Sequence, residues 1–327
     1  MIKKVKLEEA VGLPLLHDLT GIKSDGFKGV VFKRNHIIRE EDLETLRNIG
    51  KENIYVGELD EGEVHEEDAI KRVAPYLCGK NISTTGISEG KMNFVSDVHG
   101  LFVINREGLL KLNERGIYTF ATIKNYSTVD KGGRLVGGRI VPLFTAEEEV
   151  FDIIKIAKEF EPIFEVKEFK KLKVGVIITG SEVYFGRIKD LFEPVVREKL
   201  SHFECEIVGI KKCPDDLEMI KEETKEFLDK NCDLIIYSGG MSVDPDDLTP
   251  TAIRDMSDKF ITQGMPVQPG NMLTVGKNKN TYLVGVPGAS MHSKFTSFDI
   301  FLPRIFAGVD LKKSDFTELG EGGLLNS

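Results

Sequence analysis

At 327 residues the chain is long for one compact core and comfortable for two domains. Hydrophobic residues make up 41% and charged residues 30%, an ordinary globular balance that excludes wholesale disorder. A formal net charge of −9 argues against a general nucleic-acid binder, yet it leaves room for an anionic small ligand held at a helix amino-terminus. No run approaches the ~18 apolar residues of a membrane span. The amino-terminus, two lysines and then acidic residues, has no apolar stretch suited to secretion. Cys78, Cys205, Cys213 and Cys232 form no CxxC pair, so each reads as a free thiol, and a reducing cytoplasm is the simplest home.

The first half carries short β-like runs separated by glycine and asparagine, at 29–32, 53–59, 100–105, 116–123 and 138–143. Two short helices lie among them. Residues 39–50 place Leu43, Leu46 and Ile49 on one face and end in Gly50; residues 65–79 are similar, with Pro75 disturbing the later half. Residues 1–145 therefore read as a β-rich α+β region. From 146 an acidic first turn followed by Val150, Ile153, Ile154 and Ile156 predicts a helix of about four turns. With the connector after it, this helix forms a linking segment over 146–171.

From 172 to 310 strand and helix alternate, the pattern of an α/β domain with three layers and a mostly parallel sheet. Apolar runs at 173–179 and 233–238 suit strands buried on both faces, with further strands at 205–212 and 281–288. Helices are predicted over 187–203, 214–231, 248–257 and 291–308, the second with Pro214 at its start. Residues 311–327 read as a flexible tail.

Three glycine-containing turns follow three of these strands, and in open α/β sheets ligands sit at the carboxyl ends of strands. The first offers Thr179, Gly180 and Ser181, with Asp190 at the start of the next helix. The second offers Gly239, Gly240 and Ser242, then Asp244, Asp246 and Asp247 within four positions. The third, Pro287-Gly288, turns directly into the last helix, whose free N–H groups and Ser290 suit a phosphate. Taken singly, a Gly-Gly after a strand is an ordinary tight turn and clustered aspartates are ordinary helix caps. Three such turns on one sheet point to a binding site. No GxxxxGK[ST] phosphate loop is present.

The strings TGSEVYFGRIKD, SGGMSVDPDDLTPTAI and QPGNMLTVGKNKNTYLVGVPGAS resemble, in order, three blocks of the molybdopterin-binding family of molybdenum cofactor biosynthesis. The resemblance covers about 140 residues. It implies binding of molybdopterin or its adenylated form, with magnesium and ATP, and either adenylyl transfer or molybdate insertion. Asp247 and Asp190 would be the catalytic pair, and with Glu182 the metal ligands. Gly239, Gly240 and Ser242 would hold the pterin end and Gly288 and Ser290 would receive its phosphate, with Thr179, Gly180, Ser181 and Pro287 completing the substrate-binding set. Asp244 stands where the family often has glycine, and Ser181-Glu182 where Asp-Glu is common. VKLEEAVGLPLLHDLT resembles the opening of molybdate-insertion proteins and gephyrin, although shorter molybdopterin-binding proteins are the nearer match in length.

The resemblance also implies a homo-oligomer, with a molybdoenzyme or another assembly protein as partner. A non-catalytic pterin carrier or sensor, and a pyrophosphatase-like nucleotide hydrolase, are the rival functions. Of the histidines, His292 alone is placed near the proposed ligand; His17-Asp18 and Asp97-Val98-His99 read as surface hydrogen bonds, and no Ser-His-Asp set can be assembled.

Overall fold

The computed structural model describes residues 2–22, 26, 28–88, 90–242, 244 and 247–325. The chain divides into two compact units, Met1–Lys167 and Glu168–Ser327.

The first unit is α+β. Strands Ile2–Lys6 and Asn53–Gly57 pair antiparallel, and with the helix Asp42–Asn48 they enclose Leu7, Leu15, Leu46 and Ile54. The larger part is an antiparallel sheet in the order Ile82–Thr84, Lys91–Ser96, Arg134–Ile140 and Tyr118–Thr122. Met92, Phe94 and Ser96 are buried while Lys91, Asn93 and Val95 are not, the alternation of a sheet with one covered face. Helix Glu66–Leu77, which runs on through Pro75, covers that face with Arg106–Glu114 and Glu147–Glu159.

The linking segment predicted over 146–171 is corrected by this arrangement. Helix Glu147–Glu159 buries Val150, Ile153 and Ala157 in the first unit's core, and the supposed connector contains strand Phe164–Glu168 with Phe164 and Val166 fully buried. The helix is amphipathic and needs an apolar surface to cover its stripe. Phe164 and Val166, two residues apart, share one face of a strand.

His65 caps helix Glu66–Leu77: its Nδ1 accepts from the Glu67 N–H at 3.2 Å, which requires a neutral ring. Burial, and then the nearby charge of Arg34, push its pKa down to about 4.

The second unit (elements numbered within it) is a three-layer α/β domain. Strands β1 (Leu172–Thr179), β2 (Cys205–Cys213), β3 (Leu234–Ser238), β4 (Lys259–Gln263), β5 (Thr274–Asn278) and β6 (Thr281–Val286) form one sheet in the order β2-β1-β3-β6-β5-β4. The first four of these are parallel, and β5 and β4 complete an antiparallel edge. The helices are α1 (Ser181–Tyr184), α2 (Phe192–Leu200), α3 (Leu217–Asp229), α4 (Thr249–Asp255), α5 (Ser297–Phe306) and α6 (Lys313–Thr317).

Residues alternate between two cores, one on each side of the sheet. Val174, Val176, Ile178, Leu234 and Ile236 pack with residues of α2 and α5, while Ile177, Ile235 and Tyr237 pack with residues of α3 and α4. Gly175 lies under the Phe227 ring of α3: a Cβ there would come within 2.6 Å of it, so the glycine lets helix and sheet close. The predicted helix at 187–203 is shorter, because Asp190 ends the preceding loop and caps α2. Pro214 lies before α3, whose cap is Asp216, its Oδ1 accepting from the Met219 N–H at 2.9 Å.

The flexible tail predicted over 311–327 is also corrected. Leu311 and Phe316 are fully buried, and the Phe316 ring stacks on Phe301 with centroids 4.1 Å apart. Further along, the Gln268 N–H donates to the Gly323 carbonyl at 2.8 Å and the Leu325 N–H donates to the Gln268 carbonyl at 2.7 Å. Two large apolar side chains supply the burial that a polar terminus lacks. Residues 326 and 327 lie outside the described residues.

Two outcomes follow. Phe316→Ala should lower the urea-unfolding free energy by about 3–5 kcal/mol; an unchanged midpoint would restore the loose tail. For His65, the folded pKa lies below the 6.5 of the free side chain, so its stabilisation is present above pH 6.5 and lost as the pH falls toward about 4. Unfolding of the wild type should therefore become easier over that window. His65→Asn, which keeps a capping side chain, should show a flatter profile.

Candidate functional site

The carboxyl ends of β1, β3 and β6 point the same way because these strands are parallel. The turns that leave them converge on one cavity of about 500 Å³. Thr179 and Gly180 line it from the first turn, Gly239, Gly240, Ser242 and Asp247 from the second, and Pro287 and Gly288 from the third.

The first two turns are locked together. Thr179 is buried, and its Oγ1 lies 2.9 Å from Thr249 Oγ1 and donates to the Ser238 carbonyl at 3.3 Å. Gly239 and Gly240 have φ of +93° and +53°. A Cβ on Gly239 would overlap the Thr179 carbonyl oxygen, and one on Gly240 would lie 2.9 Å from Thr249 Oγ1. Both positions therefore need glycine for conformation and for space.

Asp247 holds its own loop as well as facing the cavity. Its Oδ2 accepts from the Ser242 N–H at 2.7 Å, and its N–H donates to the Asp244 carbonyl at 3.0 Å. Asp244 is exposed, and Asp246 lies outside the described residues.

Several predicted site residues sit elsewhere. Asp190 is not in the cavity lining: its Oδ1 accepts from the Phe192 and Glu193 N–H groups at 2.8 and 3.2 Å, and its Oδ2 lies 3.1 Å from Lys212 Nζ. The open amides at the start of α2 and the lysine at the end of β2 both attract its carboxylate. Ser181 is not in the lining either. Its N–H donates to Asp215 Oδ2 at 2.8 Å and its Oγ accepts from the Asp215 N–H at 3.3 Å. Glu182 does line the cavity.

The third turn differs from expectation. Pro287 leads into a 3-10 turn, Gly288–Met291, and the last helix begins only at Ser297. Its amino-terminus is closed by a capping box in which Thr296 and Asp299 bond reciprocally. Ser290 is buried, 3.0 Å from Thr296 Oγ1, so its hydroxyl serves this junction. The amides open to a ligand here are the first ones of the 3-10 turn. His292 ends that turn and is not part of the lining.

The lining also includes residues the sequence did not single out: Asp215, Met241, Asn271 and Met272. Asp215 lies two residues after β2, so the strand-end argument applied to the other three parallel strands would have found it. Glu182, Asp215 and Asp247 make the lining acidic, and no lysine or arginine lines it among the described residues. Nor do three His, Cys, Asp or Glu side chains gather as a metal-binding set among the described residues, so Asp190, Glu182 and Asp247 form no such set.

Residues 175–307 match the family described as "Probable molybdopterin binding domain", and residues 4–58 match a family described only as a domain of unknown function. A molybdopterin molybdenumtransferase of Haemophilus influenzae is 30% identical over 152 residues, which is 44% of this chain and 37% of that protein. A CinA-like protein of Mycolicibacterium gilvum is 30% identical over 105 residues, 32% of this chain and 24% of that one. The chain thus matches well under half the length of these curated relatives. Among solved structures, the molybdopterin biosynthesis enzyme MoaB of Thermus thermophilus matches with a TM-score of 0.37 at 23% identity, over 41% of this chain and 91% of that one.

Gly239→Ala tests the close approach of the first two turns. It should destabilise the protein by about 1–3 kcal/mol, from left-handed backbone strain and the overlap with Thr179. A urea midpoint equal to the wild type would mean that the turns do not meet as described.

Proposed function

We propose that residues 175–307, a domain of the molybdopterin-binding family of molybdenum cofactor biosynthesis, hold the phosphorylated pterin in the strand-end cleft and support adenylyl transfer to it or molybdate insertion into it. The observation that carries this reading is the convergence of three glycine-bearing turns on one cleft at the carboxyl ends of β1, β3 and β6. Glycine at 239 and 240 brings backbone within reach of a flat ring. The first amides of the Gly288–Met291 turn would meet the phosphate, since no cationic side chain lines the cleft among the described residues. Met241 and Met272 give the ring polarizable apolar surface.

Magnesium fits this donor set only in part. Asp247 and Asp215 present oxygen ligands of the kind a hard cation takes, and phosphate oxygens and water would supply the rest. Asp190 is committed to α2 and Lys212 and does not join them. When bound, the ion would neutralise charge developing on the phosphates. The chain's own part is positioning: the Thr179–Thr249 bond fixes two turns against each other, and the Ser242 amide holds the Asp247 carboxylate in place. ATP would supply the adenylyl group.

The dispersal of the predicted carboxylates, with Asp190 held by α2 and Lys212, favours a second reading, a carrier that binds molybdopterin without converting it. Binding of molybdopterin and of its adenylate, with and without Mg²⁺ and ATP, separates the two. Gly288 faces open space, so Gly288→Val should keep the fold while filling the cleft, and should weaken pterin binding at least on the order of tenfold. Asp247→Asn should leave binding within a few-fold and reduce any conversion on the order of a hundredfold. Unchanged pterin affinity in Gly288→Val would sink the cleft as the binding site. Pterin binding with no conversion under any condition would select the carrier.

A further inference from the structure

The first unit holds a second hollow, of about 400 Å³, on the uncovered face of its four-stranded sheet. Its floor is strand Arg134–Ile140, an interior strand paired with Lys91–Ser96 on one side and Tyr118–Thr122 on the other. Two choices in that strand are locally unfavourable. The first is the glycine pair Gly137-Gly138, since glycine in a strand interior is costly. Gly138 has a structural cause: a Cβ there would lie 2.9 Å from the Phe120 ring on the core side. Gly137 has none. It has no positive φ, and a Cβ would meet only Asn93 Oδ1, at 3.8 Å.

The second is electrostatic. The register sets Arg139 directly opposite Lys91, and like charges in that position repel. Arg134, three residues before Gly137, adds a third cation to the lining. Glu66 lies 3.6 Å from the Arg139 guanidinium and offsets part of this charge; it is mostly buried, and that burial raises its own pKa. In a chain of net charge −9, three cations around a strand that drops its side chain at Gly137 mark a place where local rules yield to something else.

We propose that this hollow is a second small-molecule site, which takes a planar heterocycle carrying a phosphate. The ring lies flat on the Gly137 backbone between Ala121 and Asn93, and the phosphate sits among Lys91, Arg134 and Arg139. Guanidinium groups match phosphate oxygens in planar, two-point hydrogen bonding. An added peptide strand is disfavoured because the site is on the face of an interior strand, whose backbone groups are already paired.

The test uses the full chain and AMP as the probe, with binding followed by calorimetry and located by amide hydrogen exchange. AMP should bind saturably, more weakly at high salt, and slow exchange in residues 118–122 and 134–140. Gly137→Val should lose at least tenfold in this affinity while its unfolding midpoint stays at or above that of the wild type. Arg134→Ala should lose affinity as well, and Gly288→Val, in the other unit, should not. Absence of saturable AMP binding overturns the proposal, as does protection confined to the cleft of the second unit. A lowered unfolding midpoint in Gly137→Val also overturns it, because the glycine would then have a structural cause. Concentration-dependent self-association lost in Gly137→Val would assign the face to a second copy instead.

Discussion

The second unit depends on one constraint: β1, β3 and β6 are buried on both faces and run parallel, so their chain reversals must all be made outside the sheet. Every backbone group within such a strand is paired, and the side chains above and below are apolar. Chemistry can therefore enter only where strands end. Parallel direction puts those ends on one edge, and three turns crowd there. Crowding explains the residue types: Gly239 passes over the Thr179 carbonyl with no room for a Cβ, and Thr179 and Thr249 satisfy each other in a region closed to water.

What could be read from the sequence follows from how local each signal is. The runs at 173–179 and 233–238 are apolar without alternation, which a strand covered on both faces requires, and they appear as β1 and β3. The glycine turns were visible because three of them follow such runs, each with a glycine at the strand end. By contrast β4 and β5, KFITQ and TVGKN, are short and mixed in polarity, and only pairing with β6 makes them strands. The tail was misread for the same reason. Phe316 is one aromatic among polar neighbours, and its partner Phe301 is distant in sequence.

The site residues divide along the same line. Gly239 and Gly240 carry their reason in their own backbone. A carboxylate does not: Asp190 precedes a helix and Asp215 follows a strand, and the first caps α2 and pairs with Lys212 while the second lines the cleft and bonds the Ser181 amide. What separates them is the nearest unpaired N–H and the nearest cation, and both are set by neighbours brought in through the sheet. Ser290 shows the converse, a hydroxyl suited to phosphate that is used up 3.0 Å away by Thr296.

The two units solve ligand binding under opposite electrostatic terms. The cleft of the second is lined by Glu182, Asp215 and Asp247, so an anionic ligand there must be met by backbone N–H groups, and its charge offset by a cation arriving with it. The hollow of the first already holds Lys91, Arg134 and Arg139, and an anion can enter it alone. Affinity in the cleft should then depend on divalent metal and only weakly on monovalent salt. In the hollow the dependence should be reversed, because exposed cations are screened by salt while short hydrogen bonds from fixed amides are not.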